Sequence, residues 1–144
     1  TIQTIGHDKI NQLRHVKYFK NIDGLKVHMM KHADEMRPKF EAVLKVFDEE
    51  LGGCGIGEWS NPKGGYFISF DAMEGCAKKI VAKCKEAGVT LTNAGATFPY
   101  GKDPKDSNIR IAPSFPTPDE MEQAADLFAL CVKLASVEKL LETK

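Results

Sequence analysis

One long amphipathic pattern constrains this chain more than any other feature of its sequence. Eight apolar residues follow one another at steps of three and four, the spacing of one helix face: Leu25, Met29, Ala33, Met36, Phe40, Val43, Phe47 and Leu51. Asp23 can cap the start of this helix, and Gly52–Gly53 can end it. Pro38 lacks the N–H that would bond the carbonyl of Asp34, so the pattern predicts a long helix with a kink at Pro38.

Three further helices are predicted. A short amphipathic helix covers residues 7–19, and another covers residues 73–87 with Gly88 as its left-handed cap. The last helix begins at Thr117-Pro118-Asp119-Glu120, a capping box with proline at the first helical position, and continues to about Glu142.

Three short strands are predicted, at residues 66–70, 89–92 and 108–112. The segment 93–107 is a long loop of the kind that often binds ligands or crosses a domain face. The order of elements is then α, α, β, α, β, β, α. We expect an α/β chain of the α+β sandwich type, with a small mixed or antiparallel sheet covered by helices and a long kinked linking helix at the N-terminal end.

Composition and charge exclude several classes of function. The 144 residues carry twenty basic and twenty acidic side chains, and a formal net charge of zero provides no field for nucleic acid or an anionic membrane. No apolar run approaches the roughly 18 residues of a membrane-spanning helix.

The four cysteines form no Cys-x-x-Cys pair, and three lie at apolar positions of helical patterns: Cys76, Cys84 and Cys131. We therefore expect reduced, buried thiols and a cytoplasmic protein.

Two sets of side chains are candidates for binding chemistry. His28 and His32 stand four residues apart, a spacing that can place two imidazoles on one metal ion. No glutamate follows His28 and no third ligand is evident, so we expect a pair of polar-face histidines and no metal site. Arg110 lies between Ile109 and Ile111, and the strand period of two directs it to the opposite face. From this pattern alone, Arg110 either lies in solvent or binds an anion.

A series of short motifs gives the chain a family likeness. The motifs are Pro62-Lys63-Gly64-Gly65-Tyr66-Phe67, then Glu86-Ala87-Gly88-Val89, then Gly95 with Phe98, then Ile109-Arg110-Ile111-Ala112 before a capped helix. In this order and spacing they resemble the C-terminal small domain of the fold-type I (class I) aminotransferases, which depend on pyridoxal phosphate. Residues 11–17 and 64–69 look closest to a bacterial group assigned as aspartate aminotransferases. The likeness spans almost the whole chain.

The resemblance carries implications for domains and site residues. It implies that residues 1–22 are a linker helix from a large domain and that residues 23–144 are the small domain. It implies that Arg110 forms a salt bridge with the α-carboxylate of the substrate, and it places no catalytic residue in this chain. The reactive lysine and most groups that bind pyridoxal phosphate belong to the large domain, so we expect no covalently bound cofactor here.

The implied activity is that of the parent protein, which would exchange an amino group between an amino acid, with aspartate as a candidate, and a 2-oxo acid. The expected partners are these substrates, the large domain of the same polypeptide and a second subunit in a homodimer. A domain of this kind predicts an apolar strip larger than roughly a few hundred Å² along the first two helices.

Two alternatives stay open at this point. A stand-alone, non-catalytic amino-acid-binding or regulatory module predicts a self-sufficient surface. A structural interaction domain predicts that Arg110 is freely solvated, with no concavity beside it.

Overall fold

The computed structural model describes residues 6–142. The first five residues of the predicted linker 1–22, and the last two of the predicted domain 23–144, lie outside the described residues. The chain divides into two compact units, one up to Glu35 and the other from Met36 onward. The domain boundary expected between residues 22 and 23 stays a prediction.

Two helices begin in the first unit. Helix α1 (Lys9–Phe19) agrees with the prediction, and the Asp8 carboxylate accepts the Asn11 backbone N–H at 2.9 Å as its cap. Helix α2 (Ile22–Glu50) supplies residues to both units. Its capping oxygen comes from Asn21, which accepts the Gly24 N–H at 2.9 Å, and not from Asp23 as predicted. Pro38 lies inside α2, and the expected kink there stays a prediction.

The second unit contains two more helices, α3 (Ala77–Glu86) and α4 (Pro118–Glu142). Helix α3 begins at Ala77 and not at Met73, because Gly75 has φ +79° and donates its N–H to the carbonyl of Lys105 at 2.8 Å, which holds the preceding residues in a turn. The capping box of α4 is confirmed, since the Glu120 carboxylate accepts the Thr117 N–H at 2.8 Å and the Glu120 N–H donates to the Thr117 hydroxyl at 3.4 Å.

The C-terminus of α3 is a Schellman motif. Gly88 has φ +97° and donates its N–H to the carbonyl of Lys85 at 3.1 Å, while Val89 donates to the carbonyl of Cys84 at 2.8 Å. The left-handed cap predicted at Gly88 is therefore confirmed. A short 3-10 turn at Pro99–Gly101 lies within the predicted loop 93–107.

Three antiparallel strands form the sheet, in the order β1 (Gly57–Trp59), β2 (Ile68–Ala72) and β3 (Asn108–Ile111). The α+β class with a small antiparallel sheet is confirmed. Strand β1 was not predicted, because it is short and lies in a glycine-rich stretch. A Cβ on Gly57 would lie 2.5 Å from the Phe70 ring, so this position of β1 requires glycine.

Two strand predictions are corrected. The strand expected at residues 66–70 is β2, which begins two residues later and ends two residues later than predicted. Asp71 does not stop the strand, because its side chain lies on the exposed face and accepts a hydrogen bond from the neighbouring strand. The segment 89–92 is not a strand. The Val89 N–H donates to the Cys84 carbonyl in the cap of α3 and is therefore not free for strand pairing. Residues 89–92 line a cavity.

The core of the second unit lies on one face of the sheet. Its largest fully buried side chains come from α2 and the residue after it, from the strands and from the two later helices: Phe47, Phe70, Phe128, Leu51, Ile68, Ile80 and Ile109. Phe47, Phe70 and Phe128 contact one another with ring centroids 5.0 to 5.5 Å apart. This aromatic cluster packs α2 and α4 against β2, which leaves the opposite face of the strand for polar residues.

Candidate functional site

Strands β2 and β3 have an apolar face and a polar face. Buried and exposed residues alternate strictly along β2, with Ser69 and Asp71 exposed. The antiparallel register places Ser69 opposite Arg110 and Asp71 opposite Asn108. Because side chains on a strand alternate between faces, these four residues share the polar face. The isoleucines beside Arg110 pair instead with the buried residues of β2, as the period of two predicts.

The guanidinium of Arg110 lies against an aromatic ring. Its Cζ atom is 4.5 Å from the centroid of Phe67, within the range of a cation–π contact. Its Nε atom is buried and has no hydrogen-bond acceptor among residues 6–142. No acidic side chain in that range forms an ion pair with it. A buried donor without an acceptor costs about 1–3 kcal/mol, and more when it is charged, so this group is suited to an anionic ligand.

Asn108 connects the two strands to the loop before β3. Its side-chain amide donates to the Ser69 hydroxyl at 2.9 Å and to Asp71 Oδ1 at 2.9 Å. Its carbonyl oxygen accepts the Thr97 hydroxyl at 2.6 Å. Asn108 is itself buried, and these three bonds satisfy both of its side-chain N–H donors and its carbonyl oxygen within the protein. The network fixes the backbone of β3 two residues before Arg110.

Asp103 organises the rest of this loop. Its carboxylate accepts the backbone N–H groups of Lys105 at 2.9 Å, and of Ser107 and Asn108 at 2.8 Å each. These bonds, with the one from Asn108 foremost, lower the pKa of Asp103 because they stabilise its charged form, while partial burial opposes them. Gly95 has φ +79°, and a Cβ there would lie 2.7 Å from the carbonyl oxygen of Gly101. The loop is therefore closely packed.

A cavity of about 410 Å³ lies beside β3, within the size range of small-molecule sites. Arg110 is the one charged residue among the described residues that line it. The other lining groups are largely apolar and come from α2, α4, the segment 88–92, the last residue of β3 and the segment that follows it. Phe115, at the C-terminal side of β3, also borders the cavity and is 96% exposed. Local sequence patterns do not predict this concavity, because its walls come from segments that are distant in the sequence.

The other candidates lie elsewhere. His28 and His32 belong to the first unit, and within residues 6–142 no group of three or more metal-ligating side chains is found.

All four cysteines are free; Cys54 is exposed, and the other three are buried, as predicted. Burial raises the pKa of Cys84 to about 12, with its neighbour Cys131 contributing. In the described part of the chain, no helix is long and apolar enough to span a membrane.

Sequence reasoning missed the residues that support Arg110. Phe67 was noted only within a motif, and Asn108, Ser69 and Asp71 were given no role. The one available signal was the period of two, which places Asn108 on the same face as Arg110. The partners of Asn108 depend on the strand register, which the pattern does not specify.

Comparison with known proteins identifies the family. The aspartate amino-transferase family matches residues 1–144, the whole chain. The chain belongs to the aspartate amino-transferase family. A Mycolicibacterium smegmatis protein assigned as an aminotransferase is 46% identical over 142 residues, which are 99% of this chain and 33% of that protein. The family resemblance of the sequence motifs is thereby confirmed.

Solved structures of aminotransferases agree with the fold. The crystal structure of an aspartate transaminase from Corynebacterium glutamicum matches with a TM-score of 0.90 at 44% identity, over 96% of this chain and 32% of that chain. The α-aminoadipate aminotransferase from Thermus thermophilus, crystallised with N-(5'-phosphopyridoxyl)-L-leucine, has a TM-score of 0.68 at 17% identity, over 79% of this chain and 28% of that chain. The second likeness shows the fold alone. The chain spans about a third of the length of the relatives that it matches.

Proposed function

We propose that this chain is the small, substrate-closing domain of an aminotransferase that depends on pyridoxal phosphate, and that Arg110 binds the α-carboxylate of the amino-acid substrate. The observation that carries the proposal is the buried Nε of Arg110, a cationic donor with no acceptor among the described residues. A guanidinium has five N–H donors in one plane, and a carboxylate can accept two of them at once. A carboxylate ligand would thus satisfy the donor that the protein leaves unpaired.

The contact with Phe67 is compatible with this role. The ring lies against the guanidinium, 4.5 Å from its Cζ atom. A cation–π contact uses a face of the guanidinium, whereas the N–H donors that bind a carboxylate point outward in its plane. Phe67 therefore restricts the side chain without competing for its donors. The bonds of Asn108 fix the backbone from which Arg110 projects, so little flexibility has to be lost when a carboxylate binds.

We propose that this chain does not form a cofactor site by itself. Among residues 6–142, those that line the cavity beside Arg110 include no lysine, so they offer no amine to the aldehyde of pyridoxal phosphate. We assign that amine and most cofactor contacts to the rest of the polypeptide. When bound, pyridoxal phosphate supplies the electron sink for chemistry at the amino-acid Cα. Arg110 would hold the carboxylate end of the substrate and thereby orient the bonds at Cα.

Exposed apolar side chains support a domain that packs against further protein. Helix α1 buries none of its residues, and three of its apolar side chains, Ile10, Leu13 and Val16, are 65% to 78% exposed. Val27 and Met29 in the first unit are similarly exposed. A stand-alone module would be expected to cover such residues. A purely structural domain would leave Arg110 in open solvent, but its Nε is buried and a cavity adjoins it.

We propose that the large domain of the same polypeptide and the second subunit of a homodimer cover these side chains. The substrates of the parent protein would be an amino acid and a 2-oxo acid. The relative from Corynebacterium glutamicum, which is an aspartate transaminase, supports aspartate as the amino donor. The buried, unpaired cysteines support a cytoplasmic location.

Steady-state kinetics of the full-length protein test this proposal. Two charge-assisted hydrogen bonds of about 1.5–3 kcal/mol each predict that Arg110→Ala lowers kcat/KM for the amino acid by about 100-fold or more, mainly through KM. The absorbance of the bound cofactor should not change. Arg110→Lys should recover only part of the loss, because an ammonium cannot bind in a bidentate manner.

Arg37→Ala is the matched control, because Arg37 is an exposed arginine of α2. An unchanged KM in Arg110→Ala would remove the assigned role. Saturable binding of an amino acid by the 144-residue chain alone would instead favour the stand-alone binding module.

A further inference from the structure

His28 and His32 lie one turn apart on α2 with their imidazole nitrogens close together. The two Nε2 atoms are 3.0 Å apart, the ring centroids are 4.6 Å apart, and the ring planes cross at 83°. Collinear rings at this nitrogen separation would have centroids about 5.3 Å apart, given the size of an imidazole. The shorter centroid distance shows that at least one ring is turned away from the line that joins the nitrogens. Without a metal ion, one imidazole donates its N–H to the other at this distance, and an ion that binds both nitrogens would displace that proton.

These two distances agree with the geometry of a metal chelate. Two nitrogens that each lie about 2.1 Å from a metal ion, at an angle of about 90°, are about 3.0 Å apart, whereas a tetrahedral angle separates them by about 3.4 Å. Ring centroids, which lie about 1.15 Å behind the nitrogens, are then about 4.6 Å apart in the 90° arrangement. Both observed distances match the 90° arrangement. We propose that His28 and His32 form a binding site for a divalent transition-metal ion, with Cu²⁺ and Ni²⁺ preferred.

Neighbouring aromatic rings hold one of the two ligands in place. The ring of His28 contacts Tyr18, at 5.5 Å between centroids with planes at 83°, and Phe19, at 5.2 Å with planes at 59°. Both aromatic residues lie at the C-terminal end of α1, within the same unit. His32 is exposed in the 144-residue chain, so in this chain an ion can reach the pair and keep water as its other ligands. One preoriented ligand reduces the entropy that binding costs.

The donor set determines which ions the site accepts. Imidazole nitrogens suit copper, nickel and zinc, whereas magnesium and calcium prefer oxygen ligands. The 90° arrangement is that of square-planar or octahedral ions, which favours Cu²⁺ and Ni²⁺ over the tetrahedral preference of Zn²⁺. No cluster of three ligating residues occurs in the described part of the chain, so the site has two protein ligands. It is independent of the proposed aminotransferase function.

Titration of the untagged 144-residue chain with CuCl₂ tests the proposal, with calorimetry for affinity and electron paramagnetic resonance for the ligands. We expect a two-histidine site with coupling to two imidazole nitrogens, and no binding of Mg²⁺. His32→Gln is the main variant, because His32 is exposed and its loss leaves the contacts of His28 with α1 intact. It should weaken Cu²⁺ binding at least about tenfold and remove one nitrogen from the spectrum.

His28→Ala should have the same effect, and circular dichroism checks that it remains folded. His15→Ala is the matched control: His15 also lies on a helix near Phe19, but its Nδ1 bonds to the Asn11 carbonyl at 2.7 Å, and we expect its Cu²⁺ affinity to stay within about twofold of the original. The proposal is overturned if His32→Gln binds Cu²⁺ as tightly as the original protein. It is equally overturned if the original protein binds no more Cu²⁺ than Mg²⁺.

Discussion

Replacing Asn108 by alanine should destabilise the chain by about 2–4 kcal/mol. The substitution removes two hydrogen bonds with the hydroxyls of Ser69 and Thr97, each worth about 0.5–1.5 kcal/mol, and one with the Asp71 carboxylate, worth about 1.5–3 kcal/mol. The full sum is an upper bound, because Ser69, Asp71 and Thr97 are exposed and regain hydrogen bonds to water. The sum is about 2.5–6 kcal/mol, so the expected loss of about 2–4 kcal/mol lies toward its lower end.

Asn108→Asp separates shape from hydrogen bonding. The side chain keeps its size, but it loses both donors and places a second carboxylate next to Asp71, where Asn108 Nδ2 now lies 2.9 Å from Oδ1. Like charges at this distance repel, so at pH 7 this variant should be at least as unstable as Asn108→Ala. Protonation of the pair relieves the repulsion. The stability difference between Asn108→Asp and the original chain should thus shrink as the pH falls to about 4 and below.

Urea unfolding, followed by far-ultraviolet circular dichroism at pH 7 and pH 4, measures these differences. The comparison requires equal m-values, which show that the variants unfold from similarly compact states. A loss of less than about 0.5 kcal/mol for Asn108→Ala would refute the role of the network in holding β2, β3 and the loop together. A pH-independent loss for Asn108→Asp would refute its electrostatic part.

Two further predictions concern the core. Gly57→Ala should cost about 1–3 kcal/mol of stability, because its Cβ would lie 2.5 Å from the Phe70 ring. The control Gly64→Ala has open space at the Cβ and an ordinary φ, so its stability should change by less than about 0.5 kcal/mol. Similar thermal unfolding midpoints for the two variants would contradict the close approach of Gly57 to Phe70. Of the four thiols, only the exposed Cys54 should react rapidly with Ellman's reagent at pH 8. Burial hinders access to the other three and raises the pKa of Cys84 to about 12. Rapid reaction of all four thiols in the folded chain would contradict the packing of α3 and α4.

The helices were predictable because their signals are local. The bonds of the capping box at Thr117 and Glu120 span three residues, and the left-handed cap at Gly88 depends on glycine itself. The start of α3 was misplaced because Gly75 bonds to Lys105, which is distant in the sequence. A local pattern contains no information about such a contact.

The strands were less predictable because pairing decides them. Residues 89–92 alternate like a strand but pair with no strand within residues 6–142. In contrast, Gly57–Trp59 has no strand signal and still pairs with β2 through Gly57 opposite Ala72. Exposure on the polar face allows Asp71 to belong to β2, although aspartate is rare in strands.

The site was predictable in part. Periodicity alone placed Arg110 on the face opposite its isoleucine neighbours, but it left solvent and anion binding both open. Its role toward a carboxylate came from the family resemblance and stays a proposal. The contacts with Phe67 and the network of Asn108 required the register of β2 against β3, which sets Arg110 opposite Ser69. They explain how this guanidinium is held in place, while its Nε has no acceptor within residues 6–142.

The most direct measurement of the central claim compares two substrates in the full-length protein with and without Arg110. Aspartate has an α-carboxylate, and β-alanine is the same molecule without it. If Arg110 binds that group, Arg110→Ala should lower the single-turnover kcat/KM for aspartate by about 100-fold more than that for β-alanine, a coupling of about 2.7 kcal/mol. Equal losses for the two substrates would show that Arg110 does not bind the α-carboxylate.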